Sequence, residues 1–275
     1  FFTQAPSKKE LKILYKKNIN KFVVDNKKDL KILLNYVKEY NFDIELLLRM
    51  KLKEHTIHTG KHFVYGMYSS QVNELLKKLK NNSNIKKLGI HFHRKTQNTS
   101  EWSLKQEIKE SIETSNLQIL DYINIGGGIP SVYKNYSPKI LEGIFSKILD
   151  LKKSLTKIGI KMIIEPGRFI AAPPVKLKAK IMRIYDNNII VNCSVFNAAM
   201  DTFIAHIRLL VKGEKEKGKR YTIKGCTPDS MDIFRYRVYL DKPKVGEHIV
   251  FLNAGAYNFS CDFCNLPKLK TKIVD

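Results

Sequence analysis

Short apolar runs alternate with lysine-rich stretches over the first two-thirds of the chain. The runs "FFTQ" (1–4), "KFVVD" (21–25), "IELLLRM" (44–50), "KLGIHFH" (87–93), "YINIGGG" (122–128) and "KMIIEPG" (161–167) read as strands. Between them, "KKELKILYKKN" (8–18), "KKDLKILLNYVKEY" (27–40), "SQVNELLKKLKNN" (70–82) and "PKILEGIFSKILDLKKSL" (138–155) repeat apolar residues at helical spacing. This rhythm predicts a parallel sheet covered by helices. Polar residues gather just after the strands: Asp25, Arg49, His93, Gly126–Gly128 and Glu165–Arg168. Parallel α/β folds build their sites at the carboxyl ends of strands, so a TIM-like βα-barrel is expected. Six βα units are two short of a closed barrel, so the first two strands are expected to be absent from this chain, or the sheet to be open.

The rhythm stops at Pro173-Pro174. Beyond it, "VKLKAKIMRIYD", "NIIVNCSVF", "IRLLVKG", "RYTIKGC", "FRYRVYL" and "HIVFLNAGAY" carry strand patterns with few helical ones between them. The predicted division is an α/β domain over 1–172 and a mainly β domain over 173–275.

Composition narrows the class. With 43% hydrophobic residues in 275, the chain can bury a sizeable core. No apolar run is long enough to span a bilayer and no secretory leader pattern is visible, so no membrane partner is expected. Four cysteines do not make a disulfide scaffold, which fits a reducing, cytoplasmic setting. The formal charge of +23 raises nucleic acid as a partner. Yet eight arginines stand against 41 lysines, spread along the chain, and no patch of arginine forks with aromatics is evident. Nucleic acid is therefore not expected as the partner, although a basic nucleic-acid-binding domain stays open as an alternative. "KGEKEKGKR" (212–220) is expected to be a solvated hairpin tip.

Several residues could carry chemistry. Three glycines after a strand let backbone N–H groups face a phosphate, or else form a tight strand-to-helix turn. Arg168 can grip a phosphate with two N–H groups, and Glu165 can bind a protonated ring nitrogen or form a surface ion pair. Strand alternation puts His91 and His93 on one face, where His93 could stack on a flat group, move protons or be structural. His55, His58 and His62 have a helical metal spacing, but Thr56, Thr59 and Gly60 make a poor helix, and no metal is expected. Cys261 and Cys264 form a lone CxxC without a second pair for zinc. "GCTPDSMDIF" (225–234) sets Asp229 and Asp232 three apart, and "NAGAYNFSCDF" (253–263) sets Tyr257 and Phe263 in a glycine-punctuated loop.

Taken in order, "GIHFHRKT", "INIGGGIP", "IIEPGR", "GCTPDSMD" and "GAYNF" resemble the pyridoxal-phosphate decarboxylases of the alanine-racemase-like fold type, in the ornithine/diaminopimelate/arginine branch. The resemblance runs the length of the chain. It implies a βα-barrel followed by a β domain, a pyridoxal 5'-phosphate cofactor, and decarboxylation of a basic, ornithine-like amino acid. It also implies a homodimer with shared active sites. His93 would stack on the cofactor ring and Glu165 would keep its nitrogen protonated. Gly126, Gly127, Gly128, Gly167, Arg168, Thr96 and Tyr257 would hold the phosphate, with Arg49 beside the cofactor. Asp229, Asp201 and Phe263 would bind substrate. Cys226 would stand in for the family's proton-donating cysteine, because Pro228 occupies that place. No lysine here matches the family's cofactor-binding lysine, which is expected to lie in a preceding segment. Pro228 and that lysine together leave a catalytically inactive, regulatory homologue as the alternative.

Overall fold

β-Branched and leucine-rich segments pair side by side because their apolar positions recur with the period of a strand. The computed structural model describes residues 1–52, 65–258 and 266–274. The chain divides into one unit of 1–128 with 141–166 and a second of 129–140 with 167–275.

In the first unit, strands β1 (Lys21–Val24), β2 (Ile44–Arg49), β3 (Ile85–His91), β4 (Tyr122–Asn124) and β5 (Lys161–Ile163) form one sheet in sequential order, every neighbouring pair parallel. Sequential parallel strands joined by helices are the wall of a βα-barrel, and these five do not close it. The predicted strand at "FFTQ" reduces to a parallel bridge between Phe2 and Val23. Two backbone bonds fasten it, Thr3 N–H to Val23 O at 2.9 Å and Val23 N–H to Phe1 O at 2.8 Å. β4 and β5 are shorter than their apolar runs, because Gly126 (φ 64°) and Pro166 turn the chain.

Helices α1 (Lys8–Lys16), α2 (Lys27–Glu39), α3 (Ser69–Leu79) and, after the short α4 (Leu104–Ser111) and α5 (Thr114–Leu117), α6 (Lys139–Thr156) stand where the periodicity put them. Ser7 caps α1 by accepting from Glu10 N–H, and Asn26 caps α2 by accepting from Asp29 N–H. α6 buries Ile144, Ile148, Leu151 and Leu155, one stripe at helical spacing. The sheet's own core contribution comes from Val24, Leu46, Leu48, Ile90 and Ile123, all fully buried.

The second unit opens with the one-turn helix α7 (Arg168–Ala171) and carries a six-stranded sheet. Its strands are β6 (Leu177–Tyr185), β7 (Asn188–Val191), β8 (Leu210–Val211), β9 (Lys215–Lys224), β10 (Ile233–Tyr239) and β11 (His248–Leu252), ordered β10-β9-β7-β6-β11-β8. All pairs are antiparallel except β7 with β9. "KGEKEKGKR" is a turn only up to Glu214, and from Lys215 it is exposed strand. No helix among the described residues is long and apolar enough to cross a membrane.

Gly89 shows how tightly β3 and β4 approach. A Cβ there would stand 2.6 Å from the Tyr122 carbonyl oxygen, a backbone atom that cannot swing away. Gly89→Ala is expected to lower unfolding free energy by about 1–3 kcal/mol through overpacking, read as a lower urea midpoint with an unchanged slope.

Candidate functional site

The parallel register builds a row of polar groups. Arg49 ends β2 opposite His91 at the end of β3, and His91 stands opposite Asn124 at the end of β4. Asn124 in turn faces Ile163, so Glu165 lies two residues past the end of β5. All these groups therefore emerge at the carboxyl edge of the sheet.

Glu165 is the centre of that row. Asn124 Nδ2 donates to its Oε1 at 2.7 Å, and His91 Nε2 approaches its Oε2 at 3.4 Å. His93 Nδ1 lies 3.6 Å from the same oxygen. The His91 imidazole and the Asn124 amide hold the Glu165 carboxyl well below the usual carboxylate range, against the opposing effect of burial. Burial drives the His91 pKa down, so the ring is neutral at neutral pH and serves Glu165 as an N–H donor. Its Nδ1 has no hydrogen-bond partner among the described residues. Phe2 meets the His91 ring edge to face at 4.8 Å, and the Arg49 guanidinium sits 5.1 Å from the Phe2 ring centre. Glu165 and His93 each keep 38% of their side-chain surface exposed. An ionised carboxylate beside a half-exposed imidazole suits a flat group bearing a protonated nitrogen.

Three ligand atoms of His91, His93 and Glu165 lie within 4.8 Å of one another. Two of them are already engaged within the protein, since His93 Nδ1 accepts from Gly127 N–H at 3.2 Å and His91 Nε2 faces the carboxylate.

The glycines are dictated by crowding. A Cβ on Gly126 would lie 2.4 Å from the Phe92 carbonyl oxygen, one on Gly127 2.8 Å from that of Glu165, and one on Gly128 2.6 Å from Arg94 Cβ. Gly126 and Gly128 also have φ of 64° and 93°. Gly126 N–H donates to Asn124 Oδ1 at 2.9 Å, tying the loop to the residue that grips Glu165. Thr96, half-buried, follows on the chain from Arg94, whose buried guanidinium grips Glu107 at 2.5 and 2.6 Å.

In the second unit the structure brings together Arg168, Asp201, Tyr133 and Tyr257. Arg168 Nη1 is ion-paired with Asp201 Oδ2, both side chains being 2% exposed, and it donates to the Tyr133 hydroxyl at 3.1 Å. Burial disfavours the guanidinium's charge, but Asp201 and Tyr133 outweigh it and raise its pKa. For Asp201, burial outweighs the arginine and raises the carboxyl. The Arg168 guanidinium also lies 5.1 Å from the centre of the exposed Tyr257 ring. A Cβ on Gly167 would reach the Tyr257 hydroxyl at 3.0 Å.

Asp232, fully buried, organises the "GCTPDSMD" loop. It accepts from Val195 N–H at 2.8 Å, Thr227 N–H at 3.1 Å and Thr227 Oγ1 at 2.7 Å. A Cβ on Gly225 would lie 2.1 Å from its Oδ1. Asp229 is exposed and accepts from Met231 N–H at 2.7 Å. The Cys226 backbone N–H donates to Cys193 O at 3.1 Å. Partial burial and the nearby Asp232 carboxylate raise the Cys226 thiol, and deeper burial pushes Cys193 up to about 12. Phe263, Cys261, Cys264, His55, His58 and His62 lie outside the described residues.

Sequence reasoning did not single out His91 or Asn124 as site residues. The signal was present: Asn124 is a polar residue inside "INIGGG", and His91 is two residues before His93 on the same face.

Comparison with known proteins places this geometry in context. Residues 1–172 match the pyridoxal-dependent decarboxylase pyridoxal-binding domain, and residues 170–255 match the C-terminal sheet domain of pyridoxal-dependent decarboxylases. The lysine/ornithine decarboxylase of Vibrio vulnificus complexed with cadaverine is 22% identical, with a TM-score of 0.71 over 97% of this chain and 73% of that one. Diaminopimelate decarboxylase from Helicobacter pylori complexed with L-lysine is 21% identical, with a TM-score of 0.78 over 98% and 71%. The Paramecium bursaria Chlorella virus arginine decarboxylase bound to agmatine is 18% identical, with a TM-score of 0.73 over 97% and 75%. No curated protein sequence matches the chain.

Two outcomes follow from this geometry. Because the Glu165 pKa is depressed in the fold, its stabilisation is full above the ordinary glutamate value of 4.5 and is lost as pH falls through the folded value. Glu165→Gln is therefore expected to cost about 1 kcal/mol at neutral pH, allowing for its exposure. The gap from wild type should shrink in strong acid, as followed by denaturant titration across pH. Asp201→Asn strands a buried guanidinium and is expected to cost about 3–5 kcal/mol. Arg168→Met combined with Asp201→Leu should recover most of that loss in the same assay.

Proposed function

The chain belongs to the pyridoxal-dependent decarboxylases, and on that premise we propose that it removes the α-carboxyl group of a basic, ornithine-like amino acid. The observation that carries this reading is the Glu165 carboxylate, kept ionised by His91 and Asn124 at the carboxyl edge of the sheet. Pyridoxal phosphate, when bound, supplies the electron sink for the broken carbon–carboxylate bond. Glu165 would accept a hydrogen bond from the ring nitrogen and keep it protonated, its own carboxyl held ionised by its depressed pKa. His93 would offer its flat face to the ring, with Arg49 beside it. Gly126–Gly128, Gly167, Arg168, Thr96 and Tyr257 would serve the phosphate.

In the same reading Asp229 draws the distal ammonium of the substrate, contributed across a homodimer, with Phe263 also on the substrate side, whereas Asp201 is withdrawn from that role by its buried pair with Arg168. CO₂ leaves, and a proton must return to the carbon that lost it. The Cys226 thiol, its pKa raised, holds that proton at Sγ at neutral pH. Pro228 has no side-chain proton and no backbone N–H to offer. The functional division is placed at residues 172 and 173, and the setting is cytoplasmic.

The exposed Pro228 favours a second reading, a catalytically inactive homologue that acts as a regulatory or partner subunit of an active relative. Release of CO₂ from L-ornithine, L-lysine, L-arginine and diaminopimelate, with pyridoxal phosphate supplied, separates the two. Turnover of one diamino substrate is expected, with Cys226→Ala slower by about 10²–10⁴ and Pro228→Cys nearly neutral. Cofactor binding without CO₂ release from any of the four would leave the regulatory reading. Failure to bind the cofactor would remove the enzyme reading.

A further inference from the structure

A cavity of about 670 Å³ in the second unit is lined by Lys134, Arg208, Arg220, Thr222, Arg235, Tyr236 and Arg237. Four of the chain's eight arginines meet there, although 41 of its 49 cationic residues are lysine. Where lysine is so abundant, four arginines around one cavity give it a distinct chemistry, because the guanidinium offers a planar fork of N–H donors that an ammonium does not. The sequence alone showed no such patch, since these residues are scattered from 208 to 237.

The fold gathers them by a break in strand alternation. Successive residues of a regular strand face opposite sides, so Arg235, Tyr236 and Arg237 could not all line one cavity. β10 shifts register against β9 on both sides of Arg235 and again beyond Val238, and Arg237 takes a φ of 53°. Burial follows the same break, with Phe234 and Arg235 buried in succession and Tyr236 and Arg237 exposed in succession. Arg220 and Thr222 alternate onto one face of neighbouring β9.

The floor is hydrogen-bonded and its acid is already engaged. Buried Arg235 donates through Nη1 to the Leu209 carbonyl and through Nη2 to Glu214 at 2.9 and 3.2 Å. Lys134 Nζ reaches the same carboxylate at 3.1 Å. Lys134 N–H donates to Arg208 O at 2.8 Å, and Asn135 clasps the same segment through Arg208 N–H and His206 O. Arg208 lies 5.2 Å from the centre of the Tyr236 ring. Among the described residues Arg208, Arg220 and Arg237 form no ion pair with a carboxylate. Five cations thus meet one acid, around a space sized for a small ligand.

We propose that this cavity binds a compact polyphosphate anion, either inorganic or the phosphate chain of a nucleotide, at a site separate in sequence from the cofactor residues. Several charges on one small molecule match three unneutralised guanidinium forks, and phosphate oxygens accept from them in pairs. The test is calorimetric titration of the whole chain, saturated with pyridoxal phosphate so that the cofactor's own phosphate groups are accounted for, at about 0.15 M salt to screen diffuse attraction. Inorganic tripolyphosphate and ATP are the probes. One saturable site is expected, weakened by about tenfold in each of Arg220→Ala and Arg237→Ala, the loss of one charge-assisted contact. Arg237→Lys should recover only part of that loss, and Lys157→Ala, on an exposed lysine of the first unit, should change nothing. Tighter ATP binding through the same arginines would identify a nucleotide, and equal binding would identify the phosphate chain alone. Absence of a saturable site, equal weakening by Lys157→Ala, or binding only of a single-stranded RNA oligomer would each overturn the proposal. Circular dichroism of each variant shows that the fold persists, since both arginines are exposed.

Discussion

Parallel register is the constraint on which the first unit depends. Parallel strands in sequential order bring all their carboxyl ends to one edge, so Arg49, His91 and Asn124 become neighbours although 75 residues separate the first from the last. A shift of one residue in β3 would turn His91 away from Glu165 and bring its apolar neighbours to the site. The apolar set Leu46, Leu48, Ile90 and Ile123 opposes such a shift, because it would have to leave the core. Burial that holds the sheet together therefore also aims its polar groups.

The second unit solves a related problem without such a row. Its loops are organised by buried charges that must find partners. Asp232 gathers three donors around one carboxylate, and Glu214 gathers Arg235 and Lys134. Arg168 and Asp201 neutralise each other where neither meets water. Each pair fixes a loop that has little regular secondary structure of its own, which is the task of hydrogen-bonded sheet in the first unit.

Helices α2 and α6 were legible in the sequence because apolar residues recur there at helical spacing, which in α6 becomes the buried stripe Ile144, Ile148, Leu151 and Leu155. Arg49, His93 and Glu165 were legible too, since each stands at or just after the end of an apolar run, whereas His91 and Asn124 lie inside theirs and were missed. Other features depend on tertiary packing. "FFTQ" reads as a strand from its aromatics, yet only Phe2 bridges to Val23. "YINIGGG" reads as seven residues of strand, but the crossing of Gly126 over Phe92 ends β4 at Asn124. The glycine triplet left phosphate approach and a tight turn open in the sequence, and only the fold reveals how closely Phe92, Glu165 and Arg94 press on it. The grouping of the arginines in β9 and β10 rests on register shifts that no single-strand pattern encodes.

The bond from Gly127 N–H to His93 Nδ1 fixes more than a loop. A nitrogen that accepts a hydrogen bond cannot carry its own proton, so His93 is held as the Nε2–H tautomer. Its outer edge then presents a donor and no lone pair. A molecule lying against this ring meets a flat wall with a single polarity at its rim. To act as a base, the imidazole would first have to surrender the glycine. The backbone of a side-chain-free residue thus decides the chemical character of the histidine beside it, and any change that moves Gly127 alters what His93 can do without touching the ring itself.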